Sequence, residues 1–118
     1  MDENQRRFIR IETSDLIEIR PADGIGTARK AVVKDFSMLG ICFYCPIQWC
    51  YGQALEINYS VPGTGIDVAL RARVMWSELI DENRGYLIGT SIMYIEDYGI
   101  DAFLRHYYTE VNKLSSSS

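Results

Sequence analysis

The stretch Leu55-Glu56-Ile57-Asn58-Tyr59-Ser60-Val61-Pro62-Gly63-Thr64-Gly65-Ile66-Asp67-Val68-Ala69-Leu70-Arg71-Ala72-Arg73-Val74-Met75-Trp76-Ser77-Glu78 decides the fold. Leu55, Ile57 and Tyr59 alternate with Glu56, Asn58 and Ser60, the period of two expected of a half-buried strand. Pro62 to Gly65 reverses the chain. Ile66 to Glu78 then forms a long strand with Val68, Leu70, Ala72, Val74 and Trp76 on one face and Arg71, Arg73 and Met75 on the other.

The same signals recur on both sides. Residues 16–20 form a short strand ended by Pro21-Ala22-Asp23-Gly24, and residues 28–34 and 40–44 read as two more, interrupted by Asp35 to Gly40. After the turn Asp81-Glu82-Asn83-Arg84-Gly85, residues 86–95 complete a sixth strand. The period then changes. Ile100, Phe103, Leu104, Tyr107, Tyr108, Val111 and Leu114 fall at steps of three and four, which predicts an amphipathic helix over about 98–114 with Asp97 as its N-cap. Glu96, Asp97 and Asp101 at its start and Lys113 near its end suit the helix dipole. The expectation is a six-stranded antiparallel, Greek-key-like β-barrel with a C-terminal α-helix packed on it, the aromatic stripe closing the open side of the sheet. Three parts are expected: an arginine-bearing flexible arm over 1–11, a barrel over 12–96 and the helix over 97–114, with a disordered tail at 115–118.

Composition bounds the function. With 118 residues, 47% of them apolar, the chain is long enough for one core. It lacks both a signal-peptide apolar segment and an apolar run near membrane-spanning length, so a cytoplasmic location is expected and membrane insertion is not. Sixteen acidic against 12 basic groups give a net charge of −4, which argues against bulk DNA or RNA binding. The distribution is uneven: residues 1–40 hold seven groups of each sign, and residues 41–118 hold nine acidic and five basic, so 9 − 5 = 4 accounts for the whole excess. Arg6, Arg7 and Arg10 crowd the arm. Cys42, Cys45 and Cys50 suit reduced thiols, and on a strand Cys42 and Cys45 face opposite ways, a poor geometry for sharing a metal. No metal site, cofactor or catalytic constellation is expected, and the lone His106 reads as a packed or surface residue.

Two patterns carry the chemistry: Arg6-x-x-x-Arg10 before the first strand, and Asp35-x-Ser37-x-x-Gly40 at a strand-to-strand turn. A guanidinium can fork onto guanine O6 and N7, stack on a purine or clamp a phosphate. An ionised Asp35 suits the N–H donors of guanine's Watson–Crick edge, and Ser37 can donate or accept. Gly40 permits either positive φ or close backbone approach. Taken singly, each pattern also fits a solvated arm or a self-bonded turn. Together they fit an anionic, guanine-bearing ligand.

In these residues the sequence resembles the PilZ domains, which bind the bacterial second messenger cyclic di-GMP. Gln5 to Arg10 resembles the family's R-x-x-x-R arm, and Asp35 to Gly40 its D/N-x-S-x-x-G turn. Arg73 to Trp76 is similar to the later strand that ends in tryptophan, and Tyr86 to Ile92 to the closing strand. The resemblance implies a six-stranded barrel with a C-terminal helix. It also implies a ligand site in which Arg6 and Arg10 clasp guanine edges and phosphates, Asp35 and Ser37 hold a base, and Gly40 shapes the turn. Arg7 is a further candidate for a phosphate and Trp76 for the ligand's neighbourhood, whereas Arg71 and Arg73 read as a solvated face. The implied function is a receptor whose arm orders on cyclic di-GMP and signals to an unidentified protein partner. A PilZ-like protein-interaction module that does not use the nucleotide is the alternative, and oligomeric state stays open.

Overall fold

The computed structural model describes residues 9–24 and 26–116. Seven strands and one helix follow in order: β1 (Ile11–Glu12), β2 (Leu16–Pro21), β3 (Arg29–Phe36), β4 (Gly40–Cys45), β5 (Ala54–Val61), β6 (Ile66–Asp81), β7 (Gly85–Ile95) and α1 (Ile100–Ser116). The sheet order is β1-β3-β2-β5-β6-β7-β4, and an additional β3–β4 pairing closes β2 to β7 into a six-stranded antiparallel barrel. The two-residue β1 is the extra strand that sequence periodicity misses. It is too short to show an alternation, and it lies along β3 with Ile11 opposite Phe36 and Glu12 opposite Asp35.

Period-two burial builds the core. Along β5, Leu55, Ile57, Tyr59 and Val61 point inward, and along β6, Val68, Leu70, Ala72 and Val74 do so. Removing such side chains from water is the main force holding the barrel. The alternation fails at Trp76, which is 45% exposed and does not join the core face assigned to it from the sequence. Val74 pairs with Thr90 but Trp76 with Gly89, so one extra residue, Met75, is accommodated as a β-bulge that turns Trp76 outward.

The helix closes one side of the barrel against β1, β5 and β6. Phe103 and Tyr107 are buried among Phe36 and Tyr59, in tilted and edge-on aromatic contacts with centroids 5.2–5.8 Å apart. Tyr108 and Leu114, assigned to the same stripe, stay exposed. The helix begins at Ile100, after a turn through Tyr98 and Gly99, so Asp97 is not its N-cap. Only the Asp97 carbonyl takes part, accepting from the Ile100 amide at 3.5 Å. His106 is packed: its ring stacks on Phe36 at 5.2 Å and 9°, and its Nε2 lies 2.7 Å from Asp15 Oδ2.

Candidate functional site

The D-x-S-x-x-G turn is held from within. Ser37 is 1% exposed; its Oγ accepts from the Leu39 amide at 3.1 Å, and its own amide donates to the Gly40 carbonyl at 2.9 Å. Such side-chain bonding to a nearby backbone N–H is how serine stabilises a turn. Gly40 is required by proximity, since a Cβ there would stand 2.2 Å from the Thr90 carbonyl oxygen across the β4–β7 ladder. Of the two options the sequence leaves open at Gly40, close approach is the one observed.

Asp35 leaves the core through a second bulge. Val33 pairs with Phe43 but Asp35 with Cys42, so Lys34 is the extra residue and the Asp35 side chain turns to the outer surface. A single row of register partners then crosses the barrel: Glu12, Asp35, Cys42, Gly89 and Trp76, on β1, β3, β4, β7 and β6. Gly89 keeps the row low. A Cβ there would sit 2.1 Å from the Trp76 indole, so the ring can lie over the strand only because residue 89 has no side chain.

A cavity of about 330 Å³ opens along this row, lined by Arg10, Lys34, Asp35, Cys42, Trp76 and Thr90 among others. Arg10 Nε and Nη2 each lie 2.6 Å from Asp35 Oδ1, and Lys34 Nζ lies 3.1 Å from Oδ2. Two cations therefore face the Asp35 carboxylate. The Asp35 hydrogen bond, then its charge, raises the Lys34 pKa. At the cavity floor, burial pushes the Cys42 thiol up to about 11, with Asp35 adding to the effect, so Cys42 is a neutral, weakly nucleophilic lining group. A larger cavity, about 720 Å³, lies between the Pro62–Thr64 turn and α1. Size alone would favour it, and Arg105 and Lys113 line it; the D-x-S-x-x-G turn and the paired Arg10 and Asp35 favour the smaller one.

Of the residues singled out in the sequence, the structure brings Arg10, Asp35 and Trp76 together around this cavity, with Ser37 and Gly40 shaping the turn behind it. Arg6 and Arg7 lie outside the described residues. Arg71 and Arg73 are elsewhere: Arg71 pairs with Glu56, which also holds Arg20, and Arg73 donates to the Gly52 carbonyl. Lys34, Cys42, Gly89 and Thr90 escape sequence reasoning. Only Gly89 carries a signal, because glycine inside a strand marks close approach. Among the described residues no group of three or more His, Cys, Asp or Glu is placed to hold a metal ion, and no helix is long and apolar enough to cross a membrane.

The sequence model of the PilZ domain matches residues 4–108, spanning both motifs. The chain belongs to the PilZ domain family. PilZ domains are ligand-binding receptors for cyclic di-GMP, generally without catalytic activity. The fold is similar to the PilZ domain of YcgR from Escherichia coli, whose structure is described with c-di-GMP, at a TM-score of 0.59 and 13% identity over 96% of each chain. It is also similar to the PilZ domain of CeSA from a cellulose-synthesizing bacterium, at 0.61 and 18% identity over 86% of this chain and 96% of that one. The Bacillus subtilis inhibitor of motility MotI/DgrA matches at 0.73 and 12% identity, covering 94% of this chain and 52% of that one. The PilZ chain thus spans about half the length of MotI/DgrA. No curated protein matches in sequence.

Proposed function

We propose that this PilZ domain is a cytoplasmic receptor for cyclic di-GMP whose arginine arm closes on the ligand and so signals to a partner protein. The observation that carries the reading is the Arg10–Asp35–Lys34 cluster beside an exposed Trp76 in one small cavity.

The ligand offers two phosphates and two guanines. Phosphate charge draws Arg10, and with it Arg6 and Arg7 of the arm, while the guanidinium forks also match guanine O6 and N7. Asp35 accepts from the guanine Watson–Crick edge. In the free protein both its oxygens are occupied, so the base must displace or share one of the two cations. That exchange is favourable because the released guanidinium moves onto the ligand's anionic groups, and charge-assisted bonds contribute about 1.5–3 kcal/mol each. Trp76 offers an apolar platform for a base, whose stacking contributes about 1–3 kcal/mol. Ser37 and Gly40 act indirectly, by fixing the turn that aims Asp35.

A second reading has an observation in its favour. Because Asp35 is already satisfied by Arg10 and Lys34, the cluster also suits a domain that contacts proteins and no nucleotide. Isothermal titration of the intact chain with cyclic di-GMP separates the two: micromolar or tighter binding supports the receptor, and absent binding supports the interaction module.

A further inference from the structure

We propose that helix α1 is a clamp that positions the ligand site, with Tyr107 holding the Ile9–Arg10 peptide unit and His106 holding Asp15 at the far end of the same segment. The inference rests on the receptor reading for its ligand and on the geometry for its mechanics.

Tyr107 Oη donates to the Ile9 carbonyl at 2.7 Å across 98 positions of sequence. That carbonyl belongs to the peptide unit whose nitrogen is Arg10's own amide, so the bond fixes the plane from which the Arg10 side chain departs. Tyr107 is 2% exposed and set edge-on against Phe36, so the donor itself has little freedom. One residue earlier on the helix, His106 Nε2 lies 2.7 Å from Asp15 Oδ2, which Tyr59 Oη also donates to at 2.5 Å. Asp15 in turn accepts the Val33 amide through its carbonyl at 2.9 Å, and the Thr13 amide donates to the Lys34 carbonyl at 3.0 Å. Adjacent helix residues thus grip both ends of residues 9–15. Arg10 and β1 lie between, with Glu12 in register with Asp35.

The consequence is preorganisation. An arm tethered only by the Arg10–Asp35 ion pair would lose that tether when a ligand competes for either group. The Tyr107 bond touches neither side chain, so it keeps the Arg10 backbone in place while the guanidinium changes partner. Ordering a backbone residue is entropically unfavourable, and a tether that has already ordered it improves affinity. Linkage makes the effect reciprocal, so ligand that fixes the arm also protects the helix from opening.

Tyr107→Phe keeps the ring and removes only the donor, and Tyr108→Phe removes the hydroxyl of the neighbouring, half-exposed tyrosine. In ligand-free protein, amide hydrogen exchange at Ile11, the first residue of the arm paired with β3, is expected to speed up in Tyr107→Phe while exchange in β5 and β6 is unchanged, and Tyr108→Phe is expected to match the wild type. Titration with cyclic di-GMP should show binding weakened about ten-fold in Tyr107→Phe, with the loss in the entropic part. Unchanged exchange at Ile11 in Tyr107→Phe overturns the clamp, whether or not the chain binds the nucleotide. Faster exchange with undiminished affinity overturns its role in binding. A wild-type chain that fails to bind overturns the receptor reading instead, and the exchange result then judges the clamp alone.

Discussion

Arg10 reaches Asp35 with two nitrogens on one carboxylate oxygen, Nε and Nη2 each 2.6 Å from Oδ1, across 25 positions of sequence. Lys34 occupies the other oxygen, so the groups proposed to recognise the ligand are paired with one another. In the proposed receptor, binding is then an exchange of partners, and each partner can be removed separately.

Arg10→Ala removes the guanidinium but leaves Lys34 on Asp35. The fold should persist, since Arg10 is about half exposed and lies outside the core. Binding of cyclic di-GMP should weaken by about 2 kcal/mol, the scale of one charge-assisted bond. Calorimetry on the variant checks this, and wild-type affinity would show that Arg10 does not touch the ligand.

The two close-approach glycines should respond differently to alanine. Gly40→Ala sets a methyl against the Thr90 backbone, which cannot move without breaking the β4–β7 ladder, so thermal unfolding should shift down by several degrees or the variant should fail to fold. Gly89→Ala sets a methyl against the Trp76 ring, a half-exposed side chain that can swing away. Its melting temperature should change little while tryptophan fluorescence and ligand affinity both change. Equal destabilisation of the two variants would contradict the distinction.

The thiols should separate by accessibility and charge. Cys50 is exposed, whereas Cys42 and Cys45 are buried, and burial pushes the Cys42 thiol up to about 11. With iodoacetamide near pH 8, mass spectrometry should find Cys50 modified first and Cys42 unmodified in the folded chain. Rapid alkylation of Cys42 would show that the cavity floor is open.

Lys34 gives a pH dependence of known sign. Its pKa is raised in the folded state by the hydrogen bond to Asp35, so its stabilising contribution is complete below the ordinary value of 10.5 and is lost as pH rises through the higher folded value. The difference in melting temperature between the wild type and Lys34→Met should therefore shrink as pH is raised above the ordinary value of 10.5. A difference that stays constant over that range would dissociate Lys34 from Asp35.

The sequence is legible where a short-range rule governs. Six strands and the helix follow from periods of two and near 3.6, because the barrel buries one face of each strand and the helix buries one stripe. Strand β1 is invisible, being two residues long and held by pairing with β3. The site is only half legible. The Asp35 turn and Arg10 announce themselves by residue type and spacing, but counting alternate positions puts Trp76 in the core. Two bulges, at Lys34 and Met75, turn Asp35 and Trp76 outward into the same row, and a bulge leaves no mark in a pattern of apolar residues. Likewise nothing in the helix pattern distinguishes Tyr107, which bonds Ile9, from Tyr108, which is half exposed and packs edge-on against it.

Whether the Arg10–Asp35 cluster is a cyclic di-GMP site is decided by isothermal titration of the intact chain with the nucleotide. Saturable binding at micromolar concentration or tighter is expected, weakened by about 2 kcal/mol in Arg10→Ala. No heat of binding and no perturbation of the Arg10 or Asp35 amides at those concentrations would contradict it.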